Sequence, residues 1–310
     1  MPARPIHIVE VAPRDGLQNE AVSLAPEARA TLISHARQAG LRRIEAASFV
    51  NPKRVPQMAG AEKVIAVARA GAGDTPEPVV SLSALALNVT GAQRAIAAGV
   101  DEVNFVVVAS ETFNRRNQGC DIDRTLAQWR EVRALLRAAR IRSTLTIGAA
   151  FGCPFEGEIA PDAPARLVAQ LGDDLSDEIA LADTIGVAAP SDIAQRFALV
   201  AAAAPDVALR AHLHNTRNTG LANAVAALSC GVTAIDASLG GFGGCPFAPA
   251  ATGNIPTEDL SYMLRRMGHL EIDLDAAVAA AAWLGAQLGH APPGLLGRAG
   301  PFPPPAPHDP

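Results

Sequence analysis

Two short segments carry most of the chemistry in this chain: His212-Leu213-His214, and the run Gly243-Gly244-Cys245-Pro246 that leads to Gly253-Asn254. In an extended strand, side chains two apart point to the same side. An H-x-H on a strand therefore aims two imidazoles at one point, as a metal site needs. The second segment follows the next expected strand. It brings a thiol on a glycine loop, then a carboxamide, toward the same region. A divalent metal beside a reactive cysteine is the equipment of an enzyme. Each part also has a plainer reading, the histidines as a hydrogen-bonded pair and Cys245 as a small buried hydrophobe.

The elements that must position these residues are short apolar strands alternating with alanine-rich helical stretches. The expected strands are Ile6–Val11, Arg43–Ala47, Val79–Ser83, Glu102–Val108, Ser143–Ala149, Glu178–Leu181, Leu209–His214 and Ala234–Ala237. Gly40, Gly99, Gly172 and Gly231 stand shortly before strands, where a helix C-terminus favours glycine. Eight strands with helical crossovers predict parallel pairing and a closed (β/α)8 TIM barrel, an α/β fold. A doubly wound open sheet is the alternative, but no G-x-G-x-x-G follows the first strand. Thr257 to Gly289 reads as further helices, so residues 1–290 are expected to form one barrel domain with C-terminal helices. Residues 291–310 hold eight prolines among twenty residues and are expected to be an extended or disordered tail.

Composition sets the class. At 310 residues and 49% hydrophobic, the chain can fill a continuous core, and its net charge of -5 points to no nucleic-acid or membrane partner. Cys120, Cys153, Cys230 and Cys245 lie far apart with no C-x-x-C spacing. Neither a disulfide framework nor structural zinc is expected, and a reducing, cytoplasmic setting fits. No secretory h-region and no bilayer-length apolar run is visible.

Barrel enzymes place their sites at the C-terminal ends of the strands. There the first strand leads into Pro13-Arg14-Asp15-Gly16-Leu17-Gln18-Asn19-Glu20. The second contains Glu45 and runs into Ser48, the sixth ends at Asp183, and the seventh offers His212 and His214. Closure makes the seventh, eighth and first strands neighbours, so Asp15, both histidines and Asn254 can converge. That mixed nitrogen and oxygen set suits Mg²⁺ or Mn²⁺, with Zn²⁺ and Co²⁺ left open by ligand type. Structural roles are also open to these residues. Arg14-Asp15 could be a surface pair, Glu45 could only orient Arg14, and Asp183-Thr184 could cap a helix. Arg115 and Arg116 could meet phosphates or simply be solvated.

Longer motifs surround these residues. They are Glu10-Val11-Ala12-Pro13-Arg14-Asp15-Gly16-Leu17-Gln18-Asn19-Glu20, Ile44-Glu45-Ala46-Ala47-Ser48-Phe49-Val50-Asn51-Pro52-Lys53, and Val55-Pro56-Gln57-Met58. Gly244-Cys245-Pro246-Phe247-Ala248 with Thr252-Gly253-Asn254 completes the set. Together they resemble the 3-hydroxy-3-methylglutaryl-CoA (HMG-CoA) lyase family of metal-dependent barrels. Ala109-Ser110-Glu111 with Asn117, Gly152-Cys153-Pro154-Phe155-Glu156-Gly157 and Asp183-Thr184-Ile185-Gly186 are similar too. Position by position, the resemblance implies metal ligands at Asp15, His212, His214 and Asn254. It implies a catalytic arginine at Arg14, a loop cysteine at Cys245 and active-site acids at Glu45 and Asp183. Arg14, Gln18, Ser48 and Asn117 are the implied substrate contacts.

The implied reaction is retro-Claisen cleavage of HMG-CoA, a coenzyme A thioester, to acetyl-CoA and acetoacetate with Mg²⁺ or Mn²⁺ as cofactor. The implied assembly is a homodimer. Asp183 and His212 both remain candidates for the base. Three departures stand out. Ala180-Leu181-Ala182 replaces the family's Ser-Leu-Gly, His212-Leu213-His214-Asn215-Thr216 followed by Arg217-Asn218 replaces His-Cys-His-Asp-Thr with Tyr-Gly, and the loop after Cys245 is altered. None touches an implied ligand. The lost serine hydroxyl bears on the acyl group, so another branched 3-hydroxyacyl-CoA is a second reading. A Claisen-condensing acyltransferase of the same superfamily is a third, and the Gly-Gly-Cys-Pro loop speaks against it. A non-catalytic scaffold barrel would need neither ligands nor loop cysteine.

Overall fold

All eight apolar runs are strands, and all pair in parallel. They are β1 (His7–Glu10), β2 (Arg43–Ser48), β3 (Ser81–Ala86), β4 (Glu102–Val108), β5 (Arg142–Gly148), β6 (Glu178–Asp183), β7 (Ala208–Leu213) and β8 (Ala234–Ala237). β1 bonds to both β2 and β8, which closes the sheet into a barrel. This computed structural model describes residues 6–71, 80–244, 253–269 and 272–303.

Successive strands are joined through α1 (Pro26–Gln38), α2 (Ala61–Ala70), α3 (Val89–Ala97), α4 (Glu111–Gln118), α5 (Ile122–Ala139), α6 (Ala163–Ala169), α7 (Pro190–Ala203) and α8 (Gly220–Ser229). The expected glycines do mark where the chain turns back. Gly40, Gly99, Gly172 and Gly231 take φ of 96°, 79°, 56° and 84°, left-handed values that suit glycine. The third strand lies further along the chain than its composition suggested. Past a bulge between Glu45 and Ala47, Ala47 and Ser48 pair with Ala84 and Leu85, so β3 runs on to the rim beside β2. His214 lies one residue beyond β7 and makes only a single bridge.

Outward-facing strand residues such as Ile44, Val103, Phe105, Ile147, Leu181 and Ile235 pack with Leu32, Ile33, Trp129, Leu136 and Phe197 of the helices into one buried core. Facing inward is a different chemistry. Arg43 binds Glu102 at 2.8 and 3.0 Å and Glu178 at 2.9 Å, and Arg210 binds Asp236, all of them buried. Where many barrels stack aliphatic layers, this one has an ion network for a floor. Such a network tolerates loss of a single partner poorly, because a buried charge is then left uncompensated.

After β8 come α9 (Thr257–Arg266) and α10 (Leu274–Leu288). The proline-rich end departs from the expectation of an extended tail. A short helix, α11 (Leu296–Ala299), is capped by Asp259, which accepts the Leu296 N–H at 2.7 Å, and the Gly294 N–H reaches the Gly240 carbonyl at 3.0 Å. Leu296 is buried; one apolar anchor and a carboxylate cap dock a segment that its prolines alone suggested was free. Residues 304–310 lie outside the described residues. Among the described residues, no helix is long and apolar enough to cross a membrane.

Candidate active site

The chain leaves β1 through a five-residue π-turn, Ala12–Gly16, in which the N–H groups of Arg14, Asp15 and Gly16 all return to the Val11 carbonyl at 3.1, 2.8 and 3.1 Å. Such wide turns recur at functional sites. A Cβ at Gly16 would stand 2.8 Å from the Ser238 hydroxyl, so glycine lets the turn lie flat over β8. The turn leaves Arg14 and Asp15 side by side and buried. Arg14 donates from Nη1 to Asp15 Oδ1 and from Nε to Glu45 Oε2, each at 2.6 Å. Burial opposes its charge, but Glu45 and Asp15 hold its pKa above the ordinary arginine value. Glu45 is in turn held by Asn104 Nδ2 at 2.9 Å, and the Thr146 hydroxyl donates to Asn104 Oδ1 at 2.8 Å. A chain of bonds from β5 through β4 and β2 thus fixes the arginine.

His212 and His214 do share a face. Their Nε2 atoms are 3.1 Å apart, and Asp15 Oδ2 lies 3.9 Å from His212 Nε2. Ligand atoms of Asp15, His212 and His214 all fall within 4.8 Å of one another. Asn254 joins through the backbone. It bridges His214 antiparallel, with Asn215 N to Gly253 O at 2.9 Å and Ile255 N to Leu213 O at 3.2 Å, while its Nδ2 donates to Asp15 Oδ2 at 2.8 Å. Gly243, at φ 112°, leaves room for this, since a Cβ there would be 2.6 Å from Asn254 Nδ2.

Electrostatics prepare the cluster for a cation. Burial would raise Asp15, but Arg14 and the two histidines bring it down to about 2, so it is a carboxylate at neutral pH. Burial and the neighbouring His212 push His214 down to about 4, which keeps it a neutral donor. Burial also opposes charge on His212, yet its bond to Asp236 and the charge of Asp15 raise its pKa. Asn254 Oδ1 and His214 Nδ1 are buried with no partner among the described residues. An unpaired buried polar atom costs about 1–3 kcal/mol. A cation held by the carboxylate, the imidazole Nε2 atoms and the amide oxygen would give Asn254 Oδ1 a partner, so the donor set fits a divalent ion.

The remaining expected residues divide. Arg14, Gln18 and Asn117 line a cavity of about 1030 Å³ that reaches the glycine loop at Gly243 and Gly244. Arg14 therefore belongs to both the cluster and the cavity. Ser48 is buried at the end of β2, and its hydroxyl has no partner among the described residues. Asp183 does not cap a helix. Its two oxygens accept the N–H groups of Val187 and Ala188 at 2.9 and 3.1 Å, and burial raises its pKa. Arg116 lines the cavity and stacks on Phe155 at 4.1 Å, whereas Arg115 is tied to Glu111 at 2.8 Å. Arg217 braces the loop after β6, donating to the carbonyls of Ile185 and Gly186 at 3.1 and 2.8 Å. Ala180, paired in register with Arg210, lies one layer below the level of His212. Cys245 lies outside the described residues.

Sequence reasoning missed Asp236, Arg210 and Asn104. The signal was there, as polar residues two apart inside apolar strands: Arg43 and Glu45, Glu102 and Asn104, Arg210 and His212. That period places each pair on one face, which closure of the sheet makes the inner one; Asp236 has no such pair within β8.

The cluster and the arginine thus stand together at the C-terminal ends of β1 and β7 in a closed parallel barrel. The chain belongs to the HMGL-like family, which matches residues 5–282. It is 43% identical over 301 residues to the (R)-citramalyl-CoA lyase of Chloroflexus aurantiacus, covering 96% of this chain and 95% of that protein. With the hydroxymethylglutaryl-CoA lyase of Pseudomonas mevalonii it shares 41% over 287 residues, 92% of this chain and 93% of the relative. Among solved structures, an HMG-CoA lyase from Acinetobacter baumannii in complex with coenzyme A and 3-methylmalate superposes with a TM-score of 0.90 at 37% identity, covering 100% of this chain and 99% of that one. The chain is accordingly an enzyme, a CoA-thioester carbon–carbon lyase.

Proposed function

We propose that this lyase performs a retro-Claisen cleavage of HMG-CoA, releasing acetyl-CoA and acetoacetate, with Mg²⁺ or Mn²⁺ among Asp15, His212, His214 and Asn254. The observation that carries the reading is the convergence of those four residues beside an arginine that also lines the cavity. A divalent ion there would supply Lewis acidity toward the substrate's hydroxyl.

The chain's own groups supply the rest. A base takes the C3 hydroxyl proton, and the C2–C3 bond breaks as charge moves to the thioester oxygen. Asp183 is the better base. His212 commits Nδ1 to Asp236 at 2.9 Å and turns Nε2 toward the cluster, whereas Asp183 has a pKa raised by burial. Arg14 has donors left over after Glu45 and Asp15, and these meet the enolate oxygen; one such preorganised donor contributes roughly 3–4 kcal/mol. Gln18, Ser48 and Asn117 position the acyl chain. Cys245 passes a proton to C2 or excludes water. Arg116 takes a coenzyme A phosphate. The enzyme works as a cytoplasmic homodimer, with no nucleic-acid or membrane partner.

A second reading keeps the mechanism and changes the acyl group. The (R)-citramalyl-CoA lyase relative and the replacement of the family serine by Ala180 favour citramalyl-CoA, whose cleavage would release pyruvate. Assays of both esters with Mg²⁺ or Mn²⁺, identifying the keto acid beside acetyl-CoA, decide between them. Acetoacetate formed at the higher kcat/KM supports the first reading, pyruvate the second, and neither product would sink both.

A further inference from the structure

Asp236 has no part in the chemistry above, yet it touches a candidate ligand from beneath. It sits on β8 directly in register with His212 on β7. Its carboxylate is shared between two neighbours: Oδ2 lies 2.9 Å from His212 Nδ1, and Oδ1 accepts from Arg210 Nε. Arg210 is fully buried and also reaches Glu102 at 3.5 Å and Glu178 at 3.8 Å.

A guanidinium can only donate. Arg210 therefore fixes the rotation of Asp236 by holding Oδ1, and Oδ2 is left to accept from His212. An imidazole that donates through Nδ1 keeps its Nε2 lone pair, which here faces His214 and Asp15. Partners of this kind orient ligating histidines and set their tautomer. We propose that Asp236, braced by Arg210, is the positioning residue of the site: it fixes His212 as the Nδ1–H tautomer and reserves Nε2 for a divalent cation. The assignment rests on reading Asp15, His212, His214 and Asn254 as ligands.

Asp236→Asn separates positioning from bulk structure. The amide has one oxygen, and the charged guanidinium takes it. Its NH2 then faces His212 and can only donate, so the imidazole proton moves to Nε2 and blocks ligation. By electron paramagnetic resonance titration, the variant should bind Mn²⁺ about 10–100-fold more weakly, with an unchanged circular dichroism spectrum. Adding Arg210→Met frees the amide oxygen for His212, and Mn²⁺ binding should largely recover. A residue that only filled the floor would make the double variant the worse one.

A third measurement needs no variant. Nitrogen-15 NMR of histidine-labelled, Mg²⁺-loaded protein should find the His212 proton on Nδ1. Wild-type affinity in Asp236→Asn, no recovery in the double variant, or a proton on Nε2 would each overturn the proposal. Wild-type protein that takes up no Mn²⁺ would overturn the metal reading itself, whereas normal wild-type uptake with an indifferent Asp236→Asn removes only the role of Asp236.

Discussion

Arg14 is the residue on which cluster and cavity meet, and its geometry says what should replace it in a test. Its fork spans Glu45 and Asp15 at once, at 2.6 Å each, with N–H donors to spare. Arg14→Lys keeps the charge those buried carboxylates need but loses the fork. The thermal midpoint should stay close to wild type while kcat falls by about 10²–10³-fold with little change in KM. An unchanged kcat would mean that the arginine serves only the fold. His214→Ala tests the cluster: it removes an imidazole whose Nε2 lies 3.1 Å from His212 Nε2, so Mn²⁺ affinity should drop while the protein stays folded. At this scale the sequence was legible where spacing fixes direction, as in the two histidines. The spacing of Glu102 and Asn104 marks a shared face but not which way it looks, and Asp236, the one polar residue of β8, carries no such mark. A polar residue on an inner barrel face reads locally like a solvent-facing one. Only closure of the sheet turns that face inward.

Among the elements, residues 239–240 just after β8 and the start of α9 are held by two buried acids. Glu10 of β1 accepts from Ala12 N at 2.8 Å, Leu239 N at 3.0 Å and the Thr257 hydroxyl at 2.6 Å, and Glu258 of α9 accepts from Gly240 N at 3.0 Å. Burial raises both from 4.5 to about 7. The folded chain thus holds these protons more tightly than the unfolded one. The stability they contribute is fully present below about pH 4.5 and is lost as pH climbs through about 7. His212, with its raised pKa, acts in the same direction, and Asp15, at about 2, has finished titrating well below this window. Glu10→Gln should therefore flatten the fall of thermal midpoint between pH 5 and 8, measured by calorimetry; an unaltered slope would contradict the raised pKa. Strand and helix order was readable because apolar runs and C-terminal glycines are local signals. The extent of β3 was not, since a bulge in its neighbour sets it, and the docking of α11 depends on Asp259, far from its prolines.

For the whole molecule, two kinds of interior explain how one chain serves stability and chemistry. The aliphatic shell between strands and helices supplies burial, and the charged floor inside the barrel braces the residues at its C-terminal rim from below. The barrel was foreseeable from eight alternating units. The floor, and the choice between acyl groups, was not, because both depend on which side chains meet across strands distant in sequence. The claim that unites these levels is that carbon–carbon cleavage depends on a cation held by Asp15, His212, His214 and Asn254. The direct test is acetyl-CoA release from HMG-CoA and citramalyl-CoA by chelator-stripped protein, before and after Mn²⁺ or Mg²⁺ is restored. The account predicts no release from stripped protein and full recovery on metal addition; cleavage at an undiminished rate in excess chelator would contradict it.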